Sequence, residues 1–216
     1  MSRDRAADIL NWLLVPMRLG LPQPLVARLP ILRTTRQERV GRVLALYEGD
    51  ALDVGCGTNE LIRSYRERGG HGTGVDVHAW PGVDLVVADS GALPWPDASF
   101  DRVSFVASLN HIPTRSESLR EAHRLLKADG HLIVTNLTPG ISRFWHLIAW
   151  WDRDQHERGM KAGEIWGFRD SDLRRLVANA GFQFVSRRSF MWGLNHVYVF
   201  ADRDPHQVWE HPLQGP

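Results

Sequence analysis

The residues with the clearest chemical potential lie in the segment Ala51-Leu52-Asp53-Val54-Gly55-Cys56-Gly57-Thr58-Asn59-Glu60-Leu61. Ala51–Val54 reads as a short strand, Gly55 and Gly57 as a turn, and the residues from Glu60 as a helix. Glycines in such a turn let the backbone fold tightly and leave no Cβ between it and a ligand. The first amides of the following helix then face that ligand. Taken alone, the pattern is also what an ordinary strand–helix turn looks like. Asp76 adds weight, because it ends the next strand-like segment about twenty residues on, where a carboxylate accepts both hydroxyls of a ribose. A solvated loop aspartate is the plain alternative for Asp76 by itself. For proton transfer three histidines come into question, His111, His146 and His156. His111 leads, since it falls just past the fourth strand-like segment, at the carboxyl edge where open α/β sheets bind ligands. A structural or solvent-facing role is the competing reading for each.

These groups need a frame, and the rest of the pattern supplies one. Strand-like runs at Ala51–Val54, Thr73–Val77, Leu85–Ala88, Arg102–Ala107 and His131–Thr135 alternate with helices at Glu60–Arg68 and Ser116–Leu126. Short strands alternating with helices mean βαβ units and a parallel sheet. A helix over Asp172–Ala180, capped by Gly181, precedes two β-rich runs at Phe184–Arg188 and His196–Ala201. Their connection is short enough for antiparallel pairing. Before all of this, residues 1–36 carry Pro16, Pro22, Pro24 and Pro30, which break the segment into short helices and turns. From Thr35 to Tyr47, apolar residues at Val40, Val43, Leu44 and Tyr47 recur at helical spacing.

On these residues the chain resembles the class I S-adenosylmethionine-dependent methyltransferases, in particular their small-molecule, type 11-like branch. Asp53-Val54-Gly55-Cys56-Gly57-Thr58 is similar to that family's first motif, and Val75-Asp76-Val77 to its acidic ribose motif. Ala88-Asp89-Ser90-Gly91-Ala92-Leu93-Pro94 resembles the segment whose aspartate meets the adenine amino group. Phe100-Asp101-Arg102-Val103 with Ser108-Leu109-Asn110-His111-Ile112 resembles the fourth strand and its loop, and Leu119–Leu132 the helix–turn–strand beyond. The likeness is close from Tyr47 to Asn136 and looser as far as Ala201. It implies an α/β, Rossmann-like, doubly wound fold: a mostly parallel seven-stranded sheet with an antiparallel final strand, in a single domain over residues 1–216. It also implies S-adenosyl-L-methionine as cofactor. Gly55 and Gly57 then border the methionine moiety, with Asp53 orienting the turn or the ammonium group. Asp76 holds the ribose, Val77 packs on the adenine, Asp89 and the Ser90 amide address its edge, and Ser108 lies near the sulfonium. Glu60 stands where a dinucleotide fingerprint needs its third glycine, which disfavours a nicotinamide enzyme. Asn59 departs from the family, which usually has glycine there; asparagine tolerates a positive φ better than most residues. Cys56 reads as a small buried turn residue.

The acceptor side is less legible. Thr138–Phe168 concentrates Phe144, Trp145, Trp150, Trp151, Trp166 and Phe168. In the resembled family, insertions after the fifth strand commonly build the substrate pocket, so Trp145, Trp150 and His156 are candidate substrate contacts; a helix packing its aromatics on the sheet is the alternative. Trp192, between the last two strands, could close the pocket from the other side. Residues 1–48 hold eight arginines against four acids, giving a helical lid over residues 1–36 that offers arginines to an anionic substrate. A membrane-surface contact through Trp12 and the neighbouring leucines is the less favoured reading.

Composition bounds the rest. The 216 residues suit one domain, and a net charge of +1 gives no global field for nucleic acid. One cysteine removes any internal disulfide framework and fits a reducing, cytoplasmic setting. No apolar run reaches membrane-spanning length, no metal ligands are assigned, and the oligomeric state is open. Two functions stand: methyl transfer to an oxygen, nitrogen or carbon of a small or medium-sized molecule, or a methyltransferase-fold binding or scaffold protein without turnover.

Overall fold

The computed structural model describes residues 3–29, 32–137, 139–140 and 163–203. The N-terminal part breaks at its prolines into three helices, α1 (Arg3–Leu13), α2 (Val15–Gly20) and α3 (Gln23–Val26). Pro16 and Pro24 sit in the first turns of α2 and α3, where their missing N–H costs nothing. Helix α4 (Thr35–Leu44) starts at a capping box: Thr34 Oγ1 accepts from the Gln37 amide at 3.0 Å, and Gln37 Oε1 accepts from the Thr34 amide at 2.9 Å.

From there the chain alternates: β1 (Asp50–Val54), α5 (Glu60–Arg66), β2 (His71–Asp76), β3 (Leu85–Val86), β4 (Phe100–Val106), α6 (Arg115–Leu125), β5 (Leu126–Leu137), α7 (Asp170–Ala178), β6 (Phe182–Phe190) and β7 (Asn195–Asp202). They form one seven-stranded sheet in the order β3-β2-β1-β4-β5-β7-β6. Strands β1 to β5 pair parallel, β7 runs antiparallel to β5, and β6 pairs antiparallel with β7. The last two strands are longer than their apolar runs, because the hairpin also pairs polar residues such as Ser189 with His196. Helix α7 begins two residues earlier than its apolar pattern and is capped by Asn179, with Gly181 at φ +103° after it.

Alternation along the strands explains why both faces are covered. Leu52, Val54, Val103, Phe105, Leu132, Val134, Tyr198 and Phe200 face one side, where Leu119 and Leu125 of α6 and Leu173 and Val177 of α7 pack on them. Ala51, Ile133 and Val197 face the other, beneath Val43 and Leu44 of α4 and Leu61 and Tyr65 of α5. Each such fully buried aliphatic contributes about 1.5–3 kcal/mol. Phe168 belongs to the first of these cores. It is a core aromatic of the sheet's first face.

The strand order reverses between β1 and β4. Connections leave the two strands in opposite directions there, and a crevice opens at their carboxyl ends. Every loop carrying a candidate residue for the cofactor lies on that edge of the sheet.

Candidate active site

Gly55 leaves β1 with φ +75° and Gly57 follows with φ +56°. The amides of Gly55 and Cys56 both donate to the Val75 carbonyl of β2, at 2.8 and 3.0 Å, which fixes the turn against its neighbour strand. A Cβ on Gly55 would stand 2.4 Å from Cβ of Ser108. Ser108 in turn donates its hydroxyl to the Val54 carbonyl at 2.6 Å. The loops after β1 and β4 thus interlock at the switch point, and only glycine fits there.

Asp76, at the end of β2, is buried, and its carboxylate organises the crevice. One oxygen accepts the Gly57 amide at 2.9 Å and the other the His78 amide at 2.9 Å. A carboxylate has about four lone-pair positions, so two are left for a pair of hydroxyls. Val77 is half exposed beside it and offers an apolar ledge. Asp89 accepts from the Gly91 amide at 2.9 Å and from Thr114 Oγ1 at 3.3 Å, which holds its loop against the start of α6. The Ser90 side chain points inward, sharing a 2.6 Å hydrogen bond with Ser118 Oγ.

Asp53 lies deeper. Its Oδ1 accepts from Ser104 Oγ at 2.6 Å, and that hydroxyl is 2.6 Å from Tyr47 Oη. Burial, with Asp76 nearby, pushes the Asp53 carboxyl up to about 7, against the lowering pull of the Ser104 bond and of Arg36. Cys56 is buried, and desolvation among these carboxylates raises its thiol well above the ordinary range. That leaves it inert as a nucleophile.

Asn59 takes the left-handed conformation at φ +58°, as its residue type allows. Its amide donates at 2.9 Å to both the Gly82 carbonyl and Asp84 Oδ2. Asp84 also accepts the Gly74 amide and both Nη atoms of Arg66. The departure from glycine therefore buttresses the loop after β2.

At the far side of the crevice, the chain after β4 makes a single 3-10 turn, Leu109–His111. His111 Nδ1 stands 3.2 Å from Oε2 of Glu164, whose side chain is almost wholly buried. An ionised carboxylate only accepts. In the neutral imidazole, Nδ1 facing that carboxylate carries the proton and Nε2 is the acceptor. The segment bearing Glu164 is clamped in place. Ile165 N donates to the Asn110 carbonyl at 3.0 Å, and Asn136 exchanges two hydrogen bonds with the Phe168 backbone at 2.8 and 3.0 Å. Glu164 was not foreseen, since 53 residues separate it from His111 and no local spacing marks it.

Three of the N-terminal arginines are committed elsewhere. Arg18 is fully buried, donating to the Arg33 and Asn11 carbonyls at 2.7 Å and to Glu38 at 2.6 Å. Arg33 pairs with Asp8, and Arg42 with Glu38. Arg36 is the exception that reaches the turn: Nη2 donates to Thr58 Oγ1 at 2.6 Å and Nε pairs with Glu60 at 2.9 Å. Trp192 does not join the cluster. Its ring packs edge-on to Trp12 at 5.9 Å and its Nε1 donates to the Trp12 carbonyl, beside a cavity of about 150 Å³ that Asn11, Arg33, Glu38 and Phe190 also line. Trp145, Trp150 and His156, with His146, lie outside the described residues. Among the described residues no helix is long and apolar enough to cross a membrane, and no group of His, Cys, Asp and Glu could hold a metal ion.

Known proteins are similar to this chain in sequence and in fold. Residues 52–134 match the family described as methyltransferase domain. The chain is 38% identical over 119 residues to the 27-O-demethylrifamycin SV methyltransferase of Amycolatopsis mediterranei, a match covering 47% of this chain and 44% of that protein. It is 26% identical over 186 residues to the ubiquinone biosynthesis O-methyltransferase of Idiomarina loihiensis, covering 74% of this chain and 76% of that one. The chain thus spans less than half of the first relative and about three quarters of the second. In fold it is similar to Burkholderia thailandensis 1,6-didemethyltoxoflavin-N1-methyltransferase, solved with its acceptor and S-adenosylhomocysteine, with a TM-score of 0.59, 18% identity and 78% of each chain covered. Residues 52–134, which carry the glycine turn, Asp76 and Asp89, are thus similar to a methyltransferase domain.

Proposed function

We propose that the protein moves a methyl group from S-adenosylmethionine to a hydroxyl oxygen of a small molecule, with His111 accepting the hydroxyl proton. Bound at the Gly55–Gly57 turn, the cofactor supplies an electrophilic methyl on a sulfonium. The chain's own work is to align acceptor and methyl, since in-line displacement depends chiefly on positioning. A base is required only when the attacking group is a weak acid such as a hydroxyl. The observation that carries the choice of oxygen is the contact of His111 Nδ1 with Glu164 Oε2, which leaves Nε2 outside that pair. Two relatives whose names record O-methylation support it.

The test is release of S-adenosylhomocysteine from S-adenosylmethionine, with catechol and hydroquinone as probes against the matching anilines. Turnover restricted to the hydroxyl compounds and lost in His111→Ala is the expected result. Amine turnover that ignores His111 removes the oxygen reading. No turnover with any acceptor, despite cofactor binding, favours a binding protein.

Asp53 makes cofactor affinity depend on pH. With its carboxyl near 7 in the free protein, Asp53 is protonated below neutrality. The cofactor's ammonium group favours the ionised form, so binding below pH 7 must displace a proton. Affinity for S-adenosylhomocysteine therefore falls as pH drops, by up to about tenfold per unit below 7. Titrations at pH 6 and 8 on wild type and Asp53→Asn check this. The variant, which has no proton to lose, should give a flat profile.

A further inference from the structure

Helices α1 and α2 run almost as one, since the Leu14 and Arg18 amides carry the helical ladder across their junction to the Leu10 and Leu14 carbonyls, at 3.0 and 2.9 Å. The two sides of this helix are inverted for a protein surface. Asn11, Val15 and Arg18 face inward and are buried, whereas Ile9, Trp12, Leu13 and Met17 face outward, 50, 58, 55 and 39% exposed. Helical spacing puts those four on one stripe, and a solvated helix normally shows the opposite arrangement, apolar side in and polar side out. The orientation is fixed from within. Arg18 donates to the Asn11 and Arg33 carbonyls and to Glu38, and Asn11 Oδ1 accepts the Arg33 amide at 2.7 Å. Turning the stripe inward would break these buried polar bonds. Trp192, half exposed and edge-on to Trp12, widens the stripe.

Charge indicates what covers such a face. Between Asp8 and Glu38 the chain holds four arginines (18, 28, 33 and 36) and no acid. The two flanking acids are neutralised, Asp8 by Arg33 and Glu38 by Arg18 and Arg42. Arg28, exposed between the exposed Leu25 and Leu29, makes no ion pair among the described residues. A second copy related by a two-fold axis would set this cationic segment against itself. An anionic surface would not, and tryptophan suits a boundary with one apolar and one wet side. We propose that the outward face of α1 and α2, with Trp192, is a docking surface for an anionic phospholipid bilayer. Ile9, Trp12, Leu13 and Met17 enter among the headgroups, and Arg28 meets the lipid phosphates. Strand β7 begins at Asn195 opposite Leu137, the carboxyl end of β5, so Trp192 stands at the same edge of the sheet as the cofactor loops. Docking depends on none of the assignments made for the methyl acceptor.

The test is flotation of the full chain with vesicles of phosphatidylcholine alone, and with vesicles of equal parts phosphatidylcholine and phosphatidylglycerol. Wild type should float with the anionic vesicles, bind phosphatidylcholine alone more weakly, and be released from the anionic ones as salt is raised. The double variant Ile9→Ser/Leu13→Ser should bind the anionic vesicles about tenfold or more weakly. Arg28→Gln should lose about fivefold on those vesicles and nothing on phosphatidylcholine. Val86→Ser, an equally exposed residue on the far edge of the sheet, should bind as wild type does. All these positions are exposed, so the variants should melt with wild type; should the double variant fail to fold, Met17→Ser carries the same comparison. No flotation, equal flotation with both vesicle types, or a double variant that floats like wild type overturns the proposal. So does a dimer seen by light scattering that the double variant dissolves while neither protein floats, since the face is then an interface between copies.

Discussion

Replacing His111 with alanine should lower turnover of a hydroxyl acceptor by about 10²–10⁴-fold while cofactor affinity stays within about twofold. The size follows from the role. A positioned base removes the proton as the oxygen attacks. Glu164→Gln is the informative companion. An amide no longer demands a protonated Nδ1, so the imidazole loses its fixed tautomer. Its rate should fall less than that of His111→Ala, with cofactor affinity unchanged. If Glu164→Gln leaves the rate unchanged, the pair has no part in proton transfer. Single-turnover rates beside binding titrations make the distinction.

Gly55→Ala should be the most damaging change to the cofactor site. An alanine held at φ +75° costs about 1–2 kcal/mol. Its Cβ would also meet Cβ of Ser108 at 2.4 Å, and overpacking of that kind costs about 1–3 kcal/mol more. The turn can relieve both only by moving the amides of Gly55 to Gly57. The variant should melt well below wild type and show no measurable cofactor binding. Adding Ser108→Gly removes the collision but not the unfavourable φ, so the double variant should recover part of the stability and little of the affinity. Full recovery of both would mean that steric contact alone explains the glycine.

The parts of this molecule that were legible in the sequence are those fixed by local pattern. Gly55, Gly57 and Asp76 sit on consecutive strand ends, and the register of β1 on β2 brings the Gly57 amide onto Asp76. The parallel strands showed as short apolar runs because both faces of the sheet are covered. Asn59 at positive φ followed from its residue type. What stayed hidden depends on long-range closure. Glu164 meets His111 only because Asn110 and Asn136 pin the returning chain to the sheet edge. The aromatic run gave two readings since a buried Phe168 and an exposed Trp166 look alike in a one-dimensional pattern. The basic N-terminus looked uniform. Folding sorts it into Arg18, spent on internal carbonyls and Glu38, and Arg36, aimed at the cofactor turn.

Calorimetric titration of S-adenosylhomocysteine into the purified protein tests the central claim most directly, with NAD as the control ligand and Asp76→Ala as the control protein. One-to-one binding of S-adenosylhomocysteine, no heat with NAD, and affinity about ten- to a hundredfold weaker in a folded Asp76→Ala variant are predicted. Binding of NAD in place of S-adenosylhomocysteine, or an Asp76→Ala variant that binds as tightly as wild type, would contradict it.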